Sequence, residues 1–500
     1  MSLVDNLQEM ERTREAYWLR HASTSPIKLH WRAVTVRHCF HVLPGESILE
    51  LGAGSGLWTE HLISALRAEN PVTAAVFNPD YSEQAIERGL ANTEVVLLDD
   101  LNALPAESFD YVVGTAILCH DRYAENLRHI HRVLKPGGQL LFFEANYWNP
   151  QVLAKSVIPA VGRWAGNARC QVGMRKFRLM KAASHQGFTD IEVVPYDIVH
   201  ARTPRRLIPA IQETAFVLEH LPGVREVCGT LYIWASKRGA EGHRRRGVNL
   251  ANHTRLHGST SVVVPCRNEE MNVPRLVSGL REAYDPYIVE IIIVNDPGED
   301  ATAAVTRRLA AEDPRVRLIE RQPPGGVGRA LKDGYAAAKG EYILSMDCDF
   351  QLIIPELRDL FDVVADGHAG AIGSRFSHDS VLINYPFAKI IANRAFHLLL
   401  RVLLRRRIRD VSNNLKLYRA EILKELDIRR PDFGANAETG LGPLLAGYDI
   451  QEVPISWINR TDDMGASDFR ILRFAPSYLR ALVRLLRTAP RNGRACGPGT

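Results

Sequence analysis

Two apolar spacings alternate along the chain, one of short continuous or period-two runs and one of period 3.6. Met1–Leu43 sets apolar residues at helical spacing among charges and reads as helices. Short buried-type runs follow at Ser47–Leu51, Val72–Asn78, Val95–Leu98, Phe109–Gly114 and Gln139–Glu144. Helical stretches such as Leu57–Glu69 separate them, and Leu134–Gly138 reads as a turn. Ile191–Tyr196 and Thr230–Ser236 supply two closing strands. Strand and helix in alternation predict a doubly wound α/β sheet. The pattern then restarts, with strands at Ser261–Val264, Val289–Val294, Val316–Glu320, Tyr342–Ser345 and Ala369–Ser374. Helices are expected between them at Pro274–Ala283, Ala301–Ala311 and Arg329–Ala338. Lys237–Gly258 has no periodic apolar face, is basic and carries Gly and His, so it reads as a linker. The expected division is a first domain over 1–238, a linker over 239–258, a second domain over 259–487 and a disordered Gly/Pro/Arg tail over 488–500.

Two local motifs carry chemistry. In the first half, the strand SILEL runs into Gly52-Ala53-Gly54-Ser55-Gly56 and then a helix. That turn lets backbone N–H groups and a helix N-terminus approach a ligand closely. In the second half, the strand Tyr342–Ser345 leads into Asp347 and Asp349, spaced i, i+2, with Gln351 continuing the series. On a strand that spacing puts the three oxygen-bearing side chains on one face, at the end where α/β sheets bind ligands. Such a set can hold a hard divalent cation against a diphosphate.

Five hundred residues allow two or three domains, and 46% apolar with 24% charged residues is ordinary globular composition. A net charge of +5 implies no polyanionic partner, and no aromatic-interleaved basic face suggests nucleic acid. The seven cysteines lack paired metal spacing, which points to a reduced, cytoplasmic interior. No signal pattern and no apolar run long enough to span a bilayer is present.

The motifs ILELGAGSG, LLDDLNALP, FDYVVGTAILCH and VLKPGGQLLFFE, in this order over roughly Leu43–Gly239, resemble a class I S-adenosylmethionine-dependent methyltransferase. The resemblance implies a seven-stranded Rossmann-like domain and S-adenosylmethionine as cofactor. By position, Glu50, Gly52, Gly54 and Gly56 would line its methionine and ribose end, and Asp99 or Asp100 would meet the adenine. One position departs. Where the family carries an acid for the ribose hydroxyls, VFNPDY offers Val76 or Asn78, with Asp80 two residues later. His120 follows strand four and would face the transferred methyl group, either as a general base or as a polar loop residue.

The second half carries VVVPCRNEE, VNDPGEDAT, GGVGRALKDGYAAAKGEYILSMDCDFQ, GSRF, DVSNNLKLYRAEIL and EVPISW. As a set, spanning about Ser261–Leu486, these resemble a family 2 glycosyltransferase of GT-A fold, more narrowly its dolichyl/polyprenyl-phosphate mannosyltransferase-like branch. The resemblance implies that Pro265, Glu269 and Asp296 surround the nucleotide, and that Asp347, Asp349 and Gln351 hold Mg²⁺ or Mn²⁺ on its diphosphate. Arg375 and Arg460 would meet phosphate oxygens. Glu438 is either the candidate base for a hydroxyl acceptor or an ordinary helix-start carboxylate, and a polyprenyl phosphate acceptor needs no base. The departures fall on the acceptor side: Arg267 replaces an aromatic, SNNLK (Ser412–Lys416) stands for TSGFR, and Asp468 replaces a lysine.

Val381–Asp410 interleaves apolar patches with Lys389, Arg394, Arg401 and Arg405–Arg407, and suits either an amphipathic helix pair on an anionic membrane surface or two core helices with a solvated basic edge. The whole sequence thus reads as a bifunctional enzyme at the inner face of the membrane, in cell-envelope glycan synthesis. It would methylate a small molecule or sugar and transfer sugar from a nucleotide-sugar, with inversion, to polyprenyl phosphate or a glycolipid or glycan. The alternative is a glycosyltransferase whose first domain only binds S-adenosylmethionine or acts as a scaffold.

Overall fold

In the first unit, the apolar runs become β1 (Ile48–Leu51), β2 (Val72–Val76), β3 (Thr93–Leu97), β4 (Phe109–Thr115), β5 (Leu134–Ala145), β6 (Phe188–Tyr196) and β7 (Thr230–Lys237). The computed structural model describes residues 2–164, 168, 170–239, 247–383, 385–458 and 471–488. It divides into units Met1–Arg246 and Gly247–Thr500. The sheet order of the first is β3-β2-β1-β4-β5-β7-β6. Only β7 runs against its neighbours. All four residues of β1 are buried, as expected of a parallel strand covered on both faces. The order turns back between β1 and β4, which marks the switch point where such sheets bind ligands. The turn expected at Leu134–Gly138 is instead the start of β5, where Leu134 pairs with Phe109 across a register shift.

The second unit holds β8 (Thr260–Cys266), β9 (Ile288–Asn295), β10 (Val316–Glu320), β11 (Tyr342–Ser345), β12 (Gly370–Ser374), β13 (Val381–Ile383), β14 (Lys416–Arg419), β15 (Ile450–Pro454) and β16 (Ser456–Ile458). Seven of these form one sheet, β10-β9-β8-β11-β14-β12-β15, while β13 and β16 pair apart. β14 is antiparallel to both β11 and β12. β8, β9, β10 and β11 are mutually parallel, so their C-terminal ends share one edge. Gly334 lets the helix Val327–Ala337 lie on that sheet: a Cβ there would come within 2.4 Å of Val263 Cγ1.

Two expectations change. Residues 247–258 belong to the second unit and are not a free linker. Leu250 and Leu256 are buried, the Leu250 N–H donates to Ala283 O at 2.7 Å, and His253 pairs with Asp362 at 2.7 Å. The Arg244–Arg246 run and the tail beyond Thr488 lie outside the described residues. Among its described residues Val381–Asp410 contains one helix, Phe387–Leu404, where two were expected. Its companion is Ile471–Thr488, joined through the Phe396 and Tyr478 rings at 5.6 Å. No helix among the described residues is long and apolar enough to cross a membrane.

Candidate functional sites in the two units

β11 stops at Ser345, so Asp347 and Asp349 sit on the turn beyond it and are not held by strand periodicity. The turn closes by Phe350 N–H donating to Asp347 O at 3.2 Å. Asn414 Nδ2 donates to Asp347 Oδ1 at 2.7 Å, and Asn414 Oδ1 accepts from Ser345 Oγ at 2.9 Å. Gln351 Nε2 donates to Asn272 Oδ1 at 2.7 Å, and Asn272 Nδ2 donates to Glu269. Glu269 and Gln351 are therefore linked through one side chain. Asp296, at the end of β9, is buried, paired with Arg321, and accepts from Gly326 N–H at 2.5 Å. Pro265 lies within β8 beside them. Two half-buried carboxylates and the amide oxygen of Gln351 are the hard-oxygen donors that Mg²⁺ or Mn²⁺ takes, with diphosphate oxygens completing the shell.

Arg375 follows β12 and is buried. Its Nε and Nη2 fork onto Asp410 at 2.6 and 3.0 Å, Nη2 also reaches Ser412 Oγ at 2.9 Å, and Nη1 reaches Tyr385 OH at 3.3 Å. The fork expected to meet phosphate is committed to Asp410. Burial alone would raise the Asp410 carboxyl, but the Arg375 charge and hydrogen bonds hold it well below the usual carboxylate range. Next to this pair is Lys416, fully buried, its Nζ directed at the Asn413 carbonyl and 3.4 Å from Asn436 O. Burial pulls its ammonium down to about 7, against the pull of Asp410 and Asp347. Sequence reading passed over Asp410, Asn414 and Lys416. The signal was the DVSNNLK segment, in which Asp410 and Ser412 meet Arg375 and Asn414 meets Asp347.

Glu438 is set aside as a base. It is fully buried, accepts from the Arg429 and Arg430 N–H groups at 2.9 Å each, and is paired with Arg484 at 2.6 Å. Those donors spend its lone pairs on holding a loop and the helix Ile471–Thr488. Arg460 and Asp468 lie outside the described residues.

In the first unit Gly52, Gly54 and Gly56 all have positive φ, at 73°, 60° and 78°. The turn they form is packed by the helix Leu3–Arg20. Glu11, fully buried, accepts from Gly54 N–H at 3.0 Å, from Asn78 N–H at 2.9 Å and from Asn78 Nδ2 at 2.7 Å, with Phe77 N–H at 3.2 Å. Arg14 donates to Gly52 O, and Glu15 accepts from Ser55 Oγ at 2.9 Å. A Cβ on Gly54 would meet Glu15 Oε1 at 2.2 Å. Glu50, buried beneath, is pushed up to about 7 by burial. So the carboxylate missing from the end of β2 is present, but it comes from the N-terminal helix and takes the backbone donors itself. As these side chains stand, Glu11 holds the backbone donors of Gly54 and Asn78 that S-adenosylmethionine would approach. On the adenine side, Asp100 accepts from Asn102 N–H at 2.9 Å and Asp99 is exposed.

His120 is fully buried, and burial pulls its imidazole down to about 4. Nδ1 accepts from Arg122 N–H at 3.1 Å, so the neutral ring carries its proton on Nε2, which has no partner among the described residues. His120 is in this state a hydrogen-bond donor and not a base. Glu144, at the end of β5, accepts from the Ile117 and Leu118 N–H groups at 3.1 and 3.0 Å.

Comparison with known proteins agrees with these two frameworks. A family model described as glycosyl transferase family 2 matches residues 261–427, and one described as a methyltransferase domain matches 29–211. The polyprenol monophosphomannose synthase of Mycolicibacterium smegmatis is 30% identical over 215 residues, covering 42% of this chain and 80% of its own. An undecaprenyl-phosphate mannosyltransferase of Micrococcus luteus is 26% identical over 204 residues, covering 40% and 83%. A solved SAM-dependent methyltransferase of Thermotoga maritima, named a possible histamine N-methyltransferase, covers 47% of this chain and 100% of its own at 17% identity, with a TM-score of 0.33. The chain belongs to the family 2 glycosyltransferases, with a methyltransferase domain ahead of the glycosyltransferase domain.

Proposed function

We propose that the second unit transfers a sugar from a nucleotide-sugar to a polyprenyl phosphate. The observation that carries this is the aspartate turn at the common C-terminal edge of β8, β9 and β11, braced by Asn414 in a family 2 framework. Asp347, Asp349 and Gln351 would hold Mg²⁺ or Mn²⁺, which supplies Lewis-acid neutralisation of the leaving diphosphate. Glu269 and Asp296 bound the nucleotide side. Closure of Glu438 by three donors favours an acceptor that is already anionic and needs no base. The acceptor attacks the anomeric carbon from the face opposite the diphosphate, which inverts it.

A lipid acceptor calls for contact with a membrane surface. Helix Phe387–Leu404 supports this: Leu398 and Val402 are 60% and 67% exposed, with Arg405–Arg407 beside them. An apolar stripe with a basic end fits an anionic bilayer surface. For the first unit, the filled glycine cradle favours the non-catalytic reading over methyl transfer. Thermal shift of the whole chain against UDP- and GDP-sugars, with and without Mn²⁺, tests the donor site, because a ligand of the native state raises its stability. A metal-dependent rise with one donor, lost in Asp349→Asn, is expected. No rise with any donor, with or without lipid, would overturn the reading.

A further inference from the structure

Apart from the glycine cradle, the first unit encloses a cavity of about 680 Å³ between the helices at its N-terminus and the ends of β4 and β5. Its charge is one-sided. Arg14, Arg20, Lys28, Arg32, Lys155 and Arg202 line it, against the carboxylates Glu144 and Asp197. Arg14 is paired with Glu15 and Lys28 with Asp197, at 3.2 and 2.8 Å. No ion pair reaches Arg20, Lys155 or Arg202 among the described residues. Arg20, His200 and Arg202 are exposed and mark where the cavity meets solvent.

The cations act on one another. Burial lowers the Lys155 ammonium, and Arg20 and Arg202 lower it further. His21 is lowered by burial and then by Arg20, Arg202, His200 and Lys28, and His200 by burial and then by Lys28, Arg202 and Lys155. A second, independent observation lies deeper in the wall. Trp18 Nε1 and Arg32 Nε, in residues only 4% and 6% exposed, are buried donors with no acceptor among the described residues. Asp197 Oδ1 and Gln171 Oε1 are buried acceptors with no donor among the described residues. Buried polar groups are as a rule satisfied, and leaving one unmade costs more than making it gains. A ligand that supplies both oxygen acceptors and hydroxyl donors answers both sets.

We infer that this cavity is a binding site for a small anionic, hydroxyl-rich molecule, a sugar bearing a phosphate or a carboxylate. Its anion lies at Lys155 and Arg202, and its hydroxyls reach the inner wall of Trp18, Arg32 and Asp197. The site needs no methyl donor and is independent of the glycosyltransferase reading.

The test is calorimetric titration of the whole chain, without S-adenosylmethionine or metal, with mannose 1-phosphate, glucuronate, inorganic phosphate and neutral mannose. Binding of at least one sugar anion is expected, tighter than that of mannose or of phosphate alone. It is expected to weaken about tenfold or more in Lys155→Gln/Arg202→Gln, which removes two charge-assisted contacts. It should persist in Asp347→Asn, which separates this site from the donor site of the second unit. Arg20→Gln, at an exposed position, serves as the second variant should the double variant melt below the parent chain. Absence of binding by every anion, binding of mannose as tight as that of its phosphate, or unchanged binding in both variants would each overturn the assignment.

Discussion

Asp410 is completely enclosed and takes five hydrogen bonds: three from the Arg375 side chain and backbone, at 2.6, 3.0 and 3.2 Å, and two from Ser412, at 3.1 and 2.9 Å. Asp410→Asn keeps the shape but leaves the buried Arg375 guanidinium without its counter-charge. Breaking one side of a buried pair costs about 3–5 kcal/mol. For a unit of this size that is a fall of roughly 6–20 °C in its own melting transition. The assay is differential scanning calorimetry of the whole chain, reading the second unit's transition separately, because a chain of two units need not melt in one step. The pH dependence has a definite sign. The folded carboxyl is held below its unfolded value, so its contribution is complete above about pH 4 and is lost as pH falls through the folded value. Through the carboxyl itself, the gap between wild type and variant therefore narrows as pH falls into acid. Arg375→Met/Asp410→Leu removes both charges together and should recover most of the loss. A cost below about 1 kcal/mol, as for a surface pair, or a double variant that costs the sum of the singles, would refute the reasoning.

Three further outcomes follow from buried or exposed groups. Lys416 has a folded value of about 7 against an unfolded value near 10.4, so the unfolded state binds more protons between them and stability rises with pH across that window; urea melts of Lys416→Met should lack that slope, and parallel curves would contradict it. Glu11→Ala removes the acceptor of three backbone N–H groups, with an expected loss of about 2–4 kcal/mol in the first unit, while calorimetry should find S-adenosylhomocysteine binding the variant more tightly than the wild type; equal affinity would sink the filled-cradle account. Leu398→Asp/Val402→Asp should weaken sedimentation with anionic lipid vesicles by about tenfold or more, since each apolar side chain withdrawn from water contributes roughly 1.5–3 kcal/mol; unchanged sedimentation would remove the membrane role of that helix.

Much of the framework is legible because buried parallel strands need continuous apolar runs. β9 carries Ile291, Ile292, Ile293 and Val294, all buried, and its sequence permits little else. β14 is less legible, since a strand that opens on a buried lysine reads as polar. The helix Leu3–Arg20 misleads in the same way. Glu11, Arg14 and Glu15 look like a solvated face, yet they are buried because the glycine turn offers backbone N–H and C=O groups that only polar side chains can satisfy. Arg375 was visible as a candidate, but its partner lies 35 residues away, and no local spacing announces that pairing. Residues 247–258 resemble a linker in composition, and two leucines suffice to dock them.

The most direct test of the central claim is transfer of labelled sugar from a nucleotide-sugar to polyprenyl phosphate by the purified chain, with Mn²⁺ and vesicles present. The account predicts label in the lipid fraction, lost in Asp349→Asn and retained in His120→Ala. Transfer that survives Asp349→Asn, or label that appears only in water-soluble glycan, would contradict it.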